Sequence, residues 1–222
     1  MRNETVVKSV KIKEWIKKHW YVFLVLYYPV CMVIYTAINR YRTPVFNVHS
    51  VLDDMIPFSE YFVVPYAIWY VYLFATFLYF MVKSKNEFLK FCIFTYAGMT
   101  LAYTFYFFFP NAISFRPDLA LLGRDNIFIV VLDYIYKADV NPHNVFPSLH
   151  CYNALVISVA ICKSKLFDGK NAIKIGSWIL TFLICYSTAA VKQHSILDFF
   201  GAVVLLIIVY PIAYKVKWKF KE

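Results

Sequence analysis

The chain has 222 residues, 61% hydrophobic and 16% charged, where an average soluble domain carries about 25% charged residues. That balance excludes a water-soluble fold, and an aromatic content of 21% suits side chains facing lipid and the two membrane interfaces. The formal charge of +10 lies in short basic clusters between apolar runs instead of one stripe, which reads as membrane topology and not as a nucleic-acid-binding surface.

Residues 1–19 form a basic N-terminal segment. Within it, Val6, Val7, Val10, Ile12, Trp15 and Ile16 alternate with five lysines, as in a helix lying on an anionic membrane surface or in a solvated basic tail. Residues 20–222 read as a single transmembrane domain. The first apolar run, 20–38, has no small-x-small cleavage site before Asn39 and is expected to stay attached. Runs at 61–82, 91–109, 146–162, 175–191 and 196–214 follow, each near the roughly 20 residues needed to cross about 30 Å of hydrocarbon. The expected fold is therefore all-α and polytopic, with six transmembrane helices. In the long loop 110–145, residues 126–139 are amphipathic and too short to span, so a short interfacial helix is expected there. Five cysteines (Cys31, Cys92, Cys151, Cys162, Cys185) lie mostly inside apolar runs without CxxC spacing, and imply neither disulfides nor zinc.

Seventeen Lys and Arg fall on one side of this topology and six on the other. The positive-inside rule places both termini in the cytoplasm and the loop 110–145 outside. Small size and compact loops fit a bacterial plasma membrane.

Ionisable groups at membrane depth are rare and mark functional sites or paired charges. His150, in NPHNVFPSLHC, sits just inside the outer end of the fourth run. His194 and Asp198, in KQHSILD, open the sixth, so topology puts all three at one depth. Four residues apart on a helix, Asp198 can fix one ring nitrogen of His194 while the other keeps a lone pair for attack. His150 then serves as general acid toward a leaving oxygen. Two histidines with different tasks indicate phosphoryl transfer through a covalent intermediate. Arg116, Lys192 and the amides after Pro147, which is placed to begin a helix, offer to hold a phosphate, with Ser148 adding a hydroxyl. Arg116 also reads as an interfacial anchor. Asp53 and Asp54 read as solvated or paired with Arg40 or Arg42, with a role near the pocket mouth as the alternative, and His143 and Asn144 as shaping the turn into the fourth run.

Arg116-Pro117, Pro147-Ser148-Leu149-His150, and Ser187 followed by His194 and Asp198 resemble the type 2 phosphatidic acid phosphatase superfamily, whose pattern is Lys-x6-Arg-Pro, Pro-Ser-Gly-His and Ser-Arg-x5-His-x3-Asp. The resemblance runs from about 61 to 201. It implies a six-helix fold with an outward-facing site and no metal or other cofactor. His194 would be the nucleophile that becomes phosphohistidine, Asp198 its orienting acid and His150 the proton donor. Arg116, Ser148, Ser187 and the Leu149 amide would hold the phosphate. Three positions depart from the pattern: Phe109 stands for lysine, Thr188 for arginine and Leu149 for glycine, and Lys192 is a candidate replacement cation. The variants Phe-Pro-Ser-Leu-His and Lys-Gln-His-x3-Asp are more similar to the branch of inositol phosphorylceramide synthases and relatives of sphingomyelin synthase, which pass a phosphoryl or phosphoalcohol group to a lipid hydroxyl. The implied partners are membrane lipids and a phospholipid or isoprenoid phosphate substrate. From another class, a proton-coupled transporter would use the same ionisable groups as a relay, and would bury them near the bilayer midplane.

Overall fold

The computed structural model describes residues 14, 16–139 and 142–220. Most of the surface segment expected at 5–19 lies outside the described residues. The described residues are mostly helical, with one parallel pairing of two-residue strands, β1 (Phe46–Asn47) with β2 (Asn111–Ala112), which the sequence pattern did not signal. Among the described residues, five helical segments are long and apolar enough to cross a membrane: Trp20–Tyr41, Glu60–Lys83, Lys85–Phe108, Asn171–Ala190 and Ile196–Tyr214.

The first of these changes winding partway. Trp20–Leu26 is a 3-10 helix that passes into α1 (Tyr27–Tyr41), and Pro29, which has no N–H to give, lies in the first turn of α1, where that donor has no helical partner to lose. After the short α2 (Val51–Met55) come α3 (Val63–Lys83) and α4 (Lys85–Phe108), separated by Ser84, whose hydroxyl accepts the Glu87 N–H and starts α4 six residues before the apolar run expected at 91. In the long loop, Asn126 caps α5 (Ile127–Ala138) by accepting the Phe128 and Ile129 amides. That helix packs on α3, with Ile129 and Leu132 buried and Ile127, Val130 and Tyr134 exposed. Glu60, itself buried, joins α3 to this loop through Arg124 at 2.5 Å and Asn126 at 3.2 Å.

The expected fourth span is the main correction. Phe146, Pro147 and Ser148 are not helical. Ser148 is the cap, its hydroxyl accepting the Cys151 amide, and α6 is Leu149–Lys163. Pro147 therefore precedes the helix it was expected to begin. At 15 residues, α6 is about 22 Å long. It is the centre of the bundle, packed on α3, α4, α7 (Asn171–Ala190) and α8 (Ile196–Tyr214). Ten of its residues are buried, where a lipid-facing helix would bury one stripe.

Two glycines set how closely α6 and its lead-in are approached. A Cβ on Gly98 of α4 would stand 2.0 Å from the Tyr152 ring, whose hydroxyl donates to the Phe94 carbonyl at 2.5 Å. A Cβ on Gly201 of α8 would meet the Phe146 ring at 2.6 Å and Pro147 at 3.1 Å. Lower in the bundle, Tyr72, Ser158, Ser177 and Thr181 link α3, α6 and α7 by hydroxyl hydrogen bonds of 2.6 to 2.7 Å, so these buried polar groups are satisfied across helices.

Candidate active site

The loop between α7 and α8 carries His194 and is fixed from several sides. The Thr188 carbonyl accepts the Gln193 and His194 amides at 2.9 and 3.1 Å. Tyr136 of α5 donates to the Val191 carbonyl at 2.6 Å. Lys192 takes a left-handed φ of 51°, turning the chain into α8. Ser195 then caps α8, and Asp198, its third residue, closes a capping box by accepting the Ser195 amide at 3.0 Å. The same Asp198 oxygen lies 2.9 Å from His194 Nδ1. The pair thus arises from cap geometry, since His194 precedes the helix, and not from two side chains one turn apart within it.

Beneath this loop lies Asp53, 2% exposed, which was expected to be solvated or paired with arginine. Its carboxylate accepts the Ser195 hydroxyl at 2.6 Å, the Ile196 amide at 2.7 Å and the Ser50 amide at 2.8 Å, locking α2 to the start of α8. Asp54 instead meets His49 at 2.9 Å.

His150, the second residue of α6, reaches the same point from the other side. Its Nδ1 is 3.2 Å from His194 Nε2, its Nε2 is 3.2 Å from the Tyr66 hydroxyl, and its ring lies against Trp69 at 4.3 Å between centroids. One proton assignment satisfies the whole chain of contacts. An ionised Asp198 only accepts, so His194 Nδ1 carries the proton and Nε2 a lone pair. His150 then donates from Nδ1, and Tyr66 donates to His150 Nε2. Burial alone pulls the His194 pKa down, but the Asp198 hydrogen bond and charge outweigh it and set the pKa above the ordinary 6.5.

The lead-in to α6 is fixed by residues that sequence reading missed. Asn111 Oδ1 accepts the Val145 and Phe146 amides, both at 2.9 Å, and Tyr106 donates to the Pro147 carbonyl at 2.6 Å. Asn144 has a left-handed φ of 55°, consistent with the turn expected there. Ser148 is fully buried, and its amide donates to the Asp198 carbonyl at 3.2 Å, so the two halves of the site are joined by backbone. Leu149 opens α6, and the first amides of a helix have no acceptor within it.

Arg116 comes to the edge of the site. It donates to the Asp139 carbonyl at 2.6 Å, the Asp139 carboxylate at 3.0 Å and Gln193 Oε1 at 2.7 Å, and stacks over Tyr136. Two expected phosphate ligands are committed elsewhere. The Lys192 ammonium donates to the Asp53 and Ile56 carbonyls at 2.6 and 2.5 Å, because the left-handed turn aims it at α2. The Ser187 hydroxyl donates to the Ile184 carbonyl at 2.6 Å, inside its own helix. In their place stand Trp69 Nε1, Arg116 Nε and Gln193 Nε2, which are buried and find no hydrogen-bond partner among the described residues. Buried donors are ordinarily paired, so these three are candidate contacts for a ligand's acceptor atoms. Gln193 gave no sequence signal beyond its place beside His194, and Trp69 gave none.

No protein-family model, curated protein or solved structure matches the chain.

Proposed function

We propose that the chain is an integral membrane enzyme that cleaves a phosphate ester of a lipid through a phosphohistidine, without a metal. The observation that carries this reading is the run Asp198–His194–His150, with contacts of 2.9 and 3.2 Å beside three unpartnered buried donors. In this reaction His194 Nε2 attacks phosphorus, and the bond from phosphorus to the leaving oxygen breaks. The His150 proton goes to that oxygen, while Asp198 compensates the charge that develops on His194. The incoming hydroxyl then gives its proton to His150, attacks phosphorus and returns the electron pair to His194. With water as acceptor the enzyme is a lipid-phosphate phosphatase. With a lipid hydroxyl it is a phosphotransferase, the second reading, favoured by the Leu149 and Lys192-Gln193 variants of the motifs.

In this reading α6 is the fourth of six crossings, completed at its outer end by the loop 142–148, and α5 lies along the interface. Seventeen basic residues against six argue for cytoplasmic termini and an outward-facing site. The test is the purified protein beside His194→Ala, given a panel of lipid phosphates with chelator present, following free phosphate and new lipid species together. Phosphate release that the substitution abolishes is the expected result. New lipid without free phosphate makes the enzyme a transferase, and no difference between the two proteins overturns both readings and leaves a transporter or a catalytically dead relative.

A further inference from the structure

α1 is pinned to α4 at two levels and stands off it between them. At the deeper level Tyr27 stacks on Tyr96 at 4.1 Å between centroids, and its hydroxyl lies 2.7 Å from Thr100 Oγ1. At the other, Arg42 Nε donates at 3.1 Å to the Phe107 carbonyl, one of the last of α4 and without a helical donor of its own. Between these pins Val30, Ile34 and Ala37 of α1 and Tyr103, Thr104 and Phe108 of α4 line a groove of about 620 Å³, with walls that are almost entirely apolar. Only Cys31 and Ile38 of α1 are buried, and Val30, Ile34 and Phe108 are exposed.

Shape and charge together name the occupant. Water does not fill an apolar cavity, and in a bilayer the fluid beside an open groove is lipid, so this one takes a hydrocarbon chain. Its α4 wall, from Thr100 to Phe108, rises about 12 Å, close to the depth of one leaflet at about 15 Å. The Tyr27–Thr100 pair closes the deep end. The shallow end opens beside Arg42, whose guanidinium lies over the Phe107 ring at 5.2 Å from its centroid. The Phe107 carbonyl takes only its Nε donor, and the terminal nitrogens have no hydrogen-bond partner among the described residues. Neither Arg42 nor its neighbour Arg40 meets a carboxylate there. Asp53 and Asp54, expected as their partners, are held by Ser195 and His49. We propose that the groove binds one phospholipid with a net negative head group, its phosphate on Arg42 and one acyl chain between α1 and α4. The site is separate from the histidine pair and does not depend on the reaction proposed above. It reaches the lead-in to His150 through α1, because Tyr35 donates to the His143 carbonyl at 3.0 Å and Asn39 accepts from Asn144. A lipid that braces α1 against α4 therefore steadies the turn before α6.

The experiment reads lipid binding alone. The full chain and its His194→Ala form, in which the proposed reaction is stopped, are titrated in neutral detergent with phosphatidylglycerol or phosphatidylcholine of identical acyl chains. Bound lipid is counted by native mass spectrometry, and thermal unfolding is followed alongside. Both forms are expected to retain one phosphatidylglycerol, at least about fivefold tighter than phosphatidylcholine. Saturation is expected to raise the unfolding temperature by about 5 °C or more. Arg42→Gln must weaken phosphatidylglycerol about tenfold and erase its advantage over phosphatidylcholine. Ala37→Trp, at an exposed position in the groove, must weaken both lipids about tenfold by taking the place of the acyl chain. The unfolding temperature of each variant without lipid reports whether it is folded, and Arg42→Gln decides the matter if Ala37→Trp is not. Lys137→Gln, on the exposed face of α5 away from the groove, must leave both affinities unchanged. Equal affinity for the two lipids, phosphatidylglycerol binding that Arg42→Gln leaves unchanged, or no lipid retained overturns the groove site and leaves the phosphohistidine reading standing. Lipid retained as expected by a chain that turns over no lipid phosphate keeps the groove and overturns the phosphohistidine reading.

Discussion

His194 and His150 share one hydrogen bond, yet the chain holds them in place by different means. Around His194 nearly every restraint is polar: the Thr188 carbonyl on its amide, Asp198 on its ring, Ser195 on Asp198, and Asp53 beneath Ser195. Around His150 the neighbours are aromatic: Tyr66 and Trp69 at 4.9 and 4.3 Å, with Tyr70 beyond at 6.3 Å, and no carboxylate touches the ring. The difference matches two tasks. A nucleophile needs one tautomer and a fixed counter-charge for the cation it becomes. A proton carrier needs to gain and lose its proton without being held in either state, and neutral walls leave it that freedom.

The largest expected effect lies on the polar side. His194→Ala removes the atom that bonds to phosphorus and lowers turnover by about 10⁴-fold or more. Asp198→Asn keeps the shape but loses the charge, with an expected loss of about 10² to 10⁴-fold in kcat. It also carries a signed pH effect. The neutral His194 attacks, so kcat/KM falls as pH drops through the His194 pKa, which lies above the ordinary 6.5. Without the Asp198 charge, burial loses its main opponent and the acid limb moves to lower pH, even as the plateau falls. An acid limb that stays in place detaches this pKa from the His194–Asp198 pair.

On the aromatic side, His150→Gln lowers turnover by about 10² to 10³-fold for an alkyl ester. It is expected to lose only about tenfold or less for a nitrophenyl ester, whose leaving oxygen needs no proton. His194→Ala is not rescued by that substrate. Equal rescue of the two variants breaks the division of labour between the rings.

The sequence already carried much of this. The bounds of α8, the order of the motifs and the common depth of His150, His194 and Asp198 were legible because apolar runs and their polar interruptions are local features. The start of α6 was misread because Phe146 and Pro147 extend the apolar run, while the capping hydroxyl of Ser148 decides where the helix begins. Lys192 was assigned to the phosphate by adjacency, but one left-handed residue turns it to α2, and sequence proximity does not report a φ. Asp53 contacts Ser195 and Ile196 from more than 140 positions away. Tyr66 and Trp69 stand in an apolar aromatic run like any lipid-facing residue, and only their tertiary neighbour, His150, sets them apart. Contacts of that sequence separation have no local signature.

A smaller effect is expected at the seam between the two regions. Gly201 sits on α8, one turn below Asp198, but its missing side chain makes room for Phe146 and Pro147, which lead to His150. Gly201→Ala forces the Phe146 ring aside, at a cost of about 1 to 3 kcal/mol in stability. It is expected to lower turnover about tenfold, through misplacement of about 1 Å at His150. The loss should be greater for alkyl than for nitrophenyl esters, because the polar anchors of His194 do not pass through Phe146. Thermal unfolding in detergent and the two substrates together check it.

The smallest effect separates a proton donor from a proton carrier's support. Tyr66→Phe leaves the aromatic wall and its contact with His150, and removes only the hydroxyl that donates to His150 Nε2 at 3.2 Å. A single neutral hydrogen bond is worth about 0.5 to 1.5 kcal/mol, so kcat is expected to fall about two- to tenfold, with the acid limb unmoved because His194 keeps Asp198. The variant also tests which ring atom does the work. If His150 delivers its proton from Nδ1, the atom that faces His194, then Nε2 needs only a partner that holds the tautomer, and the small loss follows. A loss beyond about 10²-fold for alkyl esters, absent for nitrophenyl esters, would instead make the Tyr66 hydroxyl part of the route by which the leaving oxygen is protonated. The aromatic side would then carry a second acid of its own.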